Sequence, residues 1–160
     1  MTAATVDSFI TLWMTARGGN RSETTPVENT RSRIEPTGLV MDFQEQAHQH
    51  SQIRETLGAA ITEQRPIDPA AFKSDRLCPA GCWLHGDGRK RWAGNHAFLS
   101  LLEAHREFHV AAGAVAEQVG RGEFAEAQRA LRNGMPFAQA LADLTLAFRR
   151  MKTAATTLAA

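Results

Sequence analysis

The residues of this chain best suited to bind a metal ion are six histidines and two cysteines, all of which lie between positions 48 and 109. Two of them, His105 and His109, are four residues apart in a segment with helical periodicity. Residues at this spacing lie on one face of an α-helix, about 5–6 Å apart at their Cβ atoms, which suits two ligands of one tetrahedral ion. The histidine pair therefore predicts a metal site.

A third imidazole and a thiolate complete the predicted ligand set. His50 lies seven residues from both Phe43 and Leu57, so it belongs to the apolar face of a second predicted helix, whereas His48 points away and is expected to be solvated. Cys78 supplies a thiolate, which favours zinc over magnesium or calcium. Three imidazoles and one thiolate fill a tetrahedral zinc shell. The predicted zinc ligands are therefore His50, Cys78, His105 and His109.

The remaining histidines and the second cysteine are assigned no ligand role. Cys82 is expected to be a small residue that is buried or semi-exposed, and the alternative is a thiol that reacts with an oxidised Cys78. Two cysteines so close in sequence cannot link distant parts of a fold, which excludes a disulfide scaffold. His85 and His96 are expected to have ordinary surface roles.

Helices are predicted to position the ligands. Alanine occurs 27 times, against 11 for valine and isoleucine together, which favours helix over sheet. A connection at 65–77 and a short helical turn or loop around Cys78 interrupt the pattern. Helices with one apolar face and short connections pack best as an antiparallel four-helix bundle, which we place at residues 39–152. Its predicted helical segments are 40–64, 92–119, 123–132 and 136–151.

The two ends of the chain are predicted to lie outside the bundle. Residues 5–16 favour a short amphipathic helix, and the polar segment that follows is too poor in core residues to offset the entropy of ordering it. Residues 1–38 are therefore interpreted as a short helix and a flexible tether. The Ala- and Thr-rich tail 153–160 is expected to be frayed.

Charge and hydropathy exclude two classes of partner. Eighteen basic against 17 acidic residues leave a net charge of +1, with no surplus to neutralise a row of phosphates, so nucleic-acid binding is not expected. No apolar run approaches the roughly 20 residues that a membrane span needs, and the N-terminus does not read as a secretory signal. The expected location is the cytoplasm.

Three motifs surround the predicted ligands: His50 followed by Ile53-Arg54 and Leu57, Cys78-x-x-Gly81-x-Trp83-Leu84 followed by Gly88, and Leu101/Leu102-x-x-His105-x-x-x-His109 with Phe108. In their order and spacing these motifs resemble the chemoreceptor zinc-binding (CZB) domain family, over about residues 40 to 151. Ile53 stands where the family usually has Trp, and Ala80 where it usually has Leu.

The resemblance implies a sensory module. Domains of this family hold one zinc ion through three histidines and one cysteine. By the resemblance, these ligands correspond to His50, Cys78, His105 and His109. They usually occur in bacterial chemoreceptors and diguanylate cyclases, where zinc occupancy or oxidation of the zinc-bound thiolate changes output, so Cys78 is the implied redox-sensitive residue. A chain of 160 residues is expected to signal in trans, through a chemoreceptor or diguanylate cyclase partner. The resemblance also implies a homodimer, because members of the family often form one.

Catalysis is not expected. A catalytic zinc keeps one position for water, whereas four protein ligands leave none, and Glu103 and Glu107 turn away from the histidine face. A di-metal bundle would need carboxylate ligands and more inward histidines than this chain offers. The alternative that stays open is a helical protein-interaction module with structural histidines and no metal-dependent signalling.

Overall fold

The computed structural model of the chain describes residues 41–157, and every regular element in that range is a helix. This confirms the predicted all-α class. The helices are α1 (Phe43–Thr62), α2 (Ala70–Lys73), α3 (Pro79–His85), α4 (Asp87–Trp92), α5 (His96–Gly120), α6 (Phe124–Ala130) and α7 (Pro136–Thr157).

Three helices are long and four are short, so the predicted four-helix bundle is not confirmed in the described range. Three of the four predicted helical segments correspond to α1, α5 and α7, whereas the fourth, 123–132, contains only the seven-residue α6. Gly122 and Gly134 enclose α6, and both adopt positive φ values, 76° and 83°. The chain therefore turns at each end before α6 can lengthen.

Side-chain caps fix where the ligand-bearing helices begin. The Asp42 carboxylate accepts hydrogen bonds from the backbone amides of Gln44 and Glu45 at the start of α1. The Asn95 side chain does the same for Ala97 and Phe98 at the start of α5. Each cap satisfies amides that have no partner within the helix, which sets the register of the histidines that follow.

The core lies between α1, α5 and α7. Packing is most extensive between α5 and α7, followed by that between α1 and α7. Lys152 near the end of α7 donates to Gln44 near the start of α1, and Arg54 on α1 donates to the Leu131 carbonyl shortly before α7. These contacts show that α1 and α7 are antiparallel. The largest fully buried apolar side chains are Phe98, Phe108, Phe137, Phe148, Leu57, Leu84, Leu101, Leu144 and Met151.

The last helix extends further than predicted. Residues 153–157, expected to be frayed, continue α7 to Thr157, because this segment contains no Gly or Pro to end the helix. Residues 158–160, the predicted N-terminal helix and the tether lie outside the described residues. The chain divides after Met41, and the unit that holds the site begins at Asp42.

Between residues 41 and 157 no helix combines the length and the apolar character that crossing a bilayer requires.

Candidate metal centre

The structure brings the four predicted residues together in the core. His50 comes from α1, Cys78 precedes α3, and His105 and His109 lie on α5. Their ligating atoms all lie within 4.8 Å of one another, and none of the four residues has solvent-accessible surface. The Cys78 sulfur is 3.1 Å from Nε2 of His105 and 3.8 Å from Nε2 of both His50 and His109.

Helical spacing and aromatic packing hold the imidazoles. The rings of His105 and His109 are 4.7 Å apart at their centroids, as expected for one face of α5. The His50 ring packs edge-on against Phe108 at 5.5 Å and tilted against Phe148 at 5.6 Å. The aromatic wall excludes water, so the four donors share a pocket of low dielectric.

A tight turn presents the thiol. Cys78 is the N-cap of α3, with extended backbone angles (φ −80°, ψ 159°), and Pro79 is the first helical residue. The Gly81 amide donates to the Cys78 sulfur at 3.1 Å, a contact that favours the thiolate. Only glycine fits at 81, because a Cβ there would lie 2.0 Å from the Asp75 carbonyl oxygen.

Two backbone carbonyls orient the imidazoles. Nδ1 of His50 donates to the Gln46 carbonyl at 2.7 Å, and Nδ1 of His109 donates to the Phe72 carbonyl at 2.8 Å. A carbonyl only accepts, so each Nδ1 carries the proton and each Nε2 turns a lone pair toward the sulfur. One thiol proton can satisfy only one of these lone pairs, whereas a cation accepts all of them. The donor set therefore fits a metal ion.

Burial keeps the four groups uncharged when no metal is bound. It lowers the pKa of His50 to about 4 and, with the neighbouring imidazoles, that of His105 to about 2; the pKa of His109 is also lowered. Burial raises the pKa of Cys78 to about 12. Neutral imidazoles can bind a metal at once, whereas the thiol must first lose its proton, so binding releases a proton.

The other candidate residues lie outside the cluster. His48 and His96 are exposed, as predicted. His85 is half-buried, with Nε2 3.1 Å from an Asp75 carboxylate oxygen, which differs from the surface role expected. Cys82 is exposed.

The two flanking carboxylates also face away from the cluster. Glu103 and Glu107 are exposed and share the Arg106 guanidinium. Both therefore lie on the solvent side of α5, as the helical spacing predicted.

Sequence reasoning missed the role of α2, which lies inside the predicted connection 65–77. Its Phe72 is buried and supplies the carbonyl that holds His109. Lys73 forms an ion pair with Glu117 on α5 and packs over Gly113. The signal that could have revealed it was the presence of two large apolar residues, Ile67 and Phe72, within the connection; both are buried.

The close approach of α2 makes Gly113→Ala a test of the site. A Cβ at Gly113 would lie 2.5 Å from Cγ and 3.2 Å from Cα of Lys73, so the Lys73 side chain must turn and the α2 backbone must move by a few tenths of an ångström. We expect this movement to weaken the hydrogen bond between the Phe72 carbonyl and His109. We expect zinc to bind about 10- to 100-fold more weakly, which is the usual effect of losing a group that hydrogen-bonds to a metal-ligating residue. Competition with a chromophoric chelator measures this. Gly58→Ala is the matched control, because nothing lies within 4 Å of its added Cβ. Equal affinities in the two variants would contradict a positioning role for α2.

Comparison with protein-family models, curated proteins and solved structures found no match for this chain. Within residues 41–157 the structure defines an all-helical fold with a buried cluster of three histidines and one cysteine at metal-binding distance.

Proposed function

We propose that this chain is a zinc-binding sensory or regulatory domain of the CZB type, holding one zinc ion through three histidines and one cysteine. The observation that carries the proposal is the convergence of four ligand atoms within 4.8 Å of one another, in residues with no exposed surface. The ligands are His50, Cys78, His105 and His109.

The chemistry of the donors favours zinc. Three imidazole nitrogens and one sulfur suit a borderline ion in tetrahedral geometry. Among residues 41–157, no carboxylate that would favour magnesium or calcium belongs to the cluster. Four protein ligands leave no position for a reactive water, which favours a structural or sensory role over catalysis. With three neutral imidazoles and one thiolate as ligands, the complex of the zinc ion would have a net charge of about +1.

The placement of the ligands supports a sensory role. A zinc ion at this point links α1, the start of α3 and α5, and through the Phe72 carbonyl it also fixes α2. Direct packing between α1 and α5 is much less extensive than that between α5 and α7. Structural zinc contributes on the order of 10 kcal/mol, comparable to the whole stability of a domain. Zinc loss would therefore loosen one side of the core and leave the α5–α7 pair packed.

The resemblance of sequence adds the biological context of the proposal. The cluster consists of the same four residues that match the CZB pattern, and α2, α3 and α4 would together take the place of one helix of the family's four-helix bundle. The domain would act in the bacterial cytoplasm, as a homodimer or on a chemoreceptor or diguanylate cyclase in trans. Its input would be the zinc level or oxidation of Cys78.

Amide hydrogen exchange of the zinc-loaded and chelated protein tests the sensory part. We expect zinc to slow exchange more in α2, in α3 and in the middle of α1 than in α7. Cys78→Ala, which lacks the thiolate, should show no difference between the two conditions. Zinc that binds without changing exchange in any of these elements would contradict a sensory role, while leaving the metal site itself intact.

A further inference from the structure

The sulfur at the centre of the cluster is closed to solvent. Cys78 has no exposed surface, and its sulfur faces three imidazoles and the Gly81 amide. An oxidant in solution therefore has no direct path to this atom. If the site responds to oxidants at all, another group must react first.

Cys82 is placed to be that group. It is exposed and free, and it lies within α3, four residues after Cys78, which is the N-cap of that helix. Side chains on a helix tilt toward its N-terminus, and the Cys82 thiol accordingly donates to the carbonyl of Arg76, a residue that precedes Cys78, at 3.4 Å. The exposed sulfur thus lies beside the turn that leads into Cys78.

A backbone hydrogen bond places the two cysteines one turn apart, since the Cys82 amide donates to the Cys78 carbonyl at 2.9 Å. A disulfide requires their Cβ atoms to come within about 3.5–4.5 Å of each other. Cys78 is the N-cap and has extended backbone angles, so it lies outside the rigid turns of α3. Once its sulfur leaves a metal ion, the turn at 74–78 can supply the remaining shift.

We propose that Cys82 is the site at which peroxides enter the zinc centre, and that its oxidation ejects zinc through a Cys78–Cys82 disulfide. This inference rests on the proposed function, because it needs a zinc-bound thiolate at Cys78. It assigns the sensing of peroxides to a residue that is not itself a ligand.

The proposed reaction is balanced in two steps. The Cys82 thiolate attacks one peroxide oxygen, which forms an S–O bond, breaks the O–O bond and releases hydroxide. The Cys78 thiolate then leaves zinc and attacks the Cys82 sulfur, which forms the S–S bond and expels the second oxygen as hydroxide. With two protons, the two hydroxides become water. The two sulfurs lose two electrons and the peroxide gains them, and zinc keeps only its three histidines.

Zinc release from the loaded protein under hydrogen peroxide tests the proposal, with Cys82→Ser as the decisive variant. A chromophoric chelator reports released zinc, and mass spectrometry reports the disulfide as the loss of two hydrogens. We expect the wild type to release its zinc together with formation of the Cys78–Cys82 disulfide, and a dithiol reductant to restore binding. Cys82→Ser should lose the disulfide and most of the zinc release.

Zinc content and affinity before peroxide is added serve as the control, since Cys82→Ser should match the wild type in both. Equal rates of peroxide-driven release in the two proteins would overturn the inference and show that the oxidant reaches Cys78 directly. Oxidation confined to Cys82 with zinc retained would also overturn it. A wild type that holds no zinc at the start would instead overturn the proposed function, and this inference with it.

Discussion

Removal of zinc by a chelator is expected to lower the free energy of unfolding by up to about 10 kcal/mol, which is most of the stability of a domain of this size. A zinc ion would be bound by the three buried imidazoles and the buried Cys78 thiolate together, and a chelator would remove all four of these bonds. Thermal or urea unfolding at neutral pH, with and without chelator, measures the difference.

The control for this prediction is Cys78→Ala, whose melting temperature should not respond to the chelator. The alternative, a helical interaction module with structural histidines, predicts that the chelator leaves the melting temperature of the parent unchanged, because its fold would not depend on metal. A melting temperature that is the same with and without chelator would therefore favour that alternative.

Replacement of His105 by leucine is expected to change stability in opposite directions with and without zinc. Nδ1 of His105 is buried and has no hydrogen-bond partner among the described residues, which in a metal-free core is a cost of about 1–3 kcal/mol. Leucine removes that polar group at similar volume, so the metal-free His105→Leu protein should be more stable than the metal-free parent. With zinc present it should be less stable, because one ligand is missing.

His50→Leu is the matched variant. Nδ1 of His50 already donates to the Gln46 carbonyl, so its removal should raise metal-free stability less than His105→Leu does. Urea unfolding of the parent and both variants, each with zinc and with chelator, gives the comparison. A His105→Leu variant that is destabilised equally in both conditions would show that this imidazole is an ordinary core residue.

The positions of the histidines could be predicted from sequence because they depend on helical spacing alone. The four-residue step placed His105 and His109 on one face, and the seven-residue steps from Phe43 and Leu57 placed His50 in the core; all are buried. The same spacing could not choose between adjacent positions at the edge of a face. We expected Leu102 on the buried seam of α5, whereas Leu101 is buried and Leu102 is half-buried.

The glycines of the Cys78 segment show where sequence reasoning failed. By composition, Gly81, Gly86 and Gly88 predict breaks in regular structure, but only Gly86 separates two helices. Gly81 lies within α3 against the Asp75 carbonyl, and Gly88 lies within α4, where a Cβ would be 2.6 Å from the Trp83 ring. Their role is close packing against the preceding turn and against the preceding helix, which composition does not reveal.

The hydrogen bond that orients His109 could not be predicted either, because it joins segments that are distant in sequence. The Phe72 carbonyl reaches His109 across 37 positions of sequence, and a backbone acceptor carries no residue-type signal. The fold class therefore follows from composition, and three of the clustered residues follow from periodicity. The contacts that hold the ligands in position, such as the hydrogen bond to the Phe72 carbonyl, are seen only in the tertiary structure.

Elemental analysis of the chain, purified without added metal, tests the metal centre most directly. The measurement includes Cys78→Ala and His105→Ala, with His48→Ala as the control because His48 is exposed. We predict one zinc per chain in the parent and in His48→Ala, and little or none in the two ligand variants. A parent that holds no zinc, even after reconstitution under reducing conditions, would contradict the zinc site and the sensory function built on it.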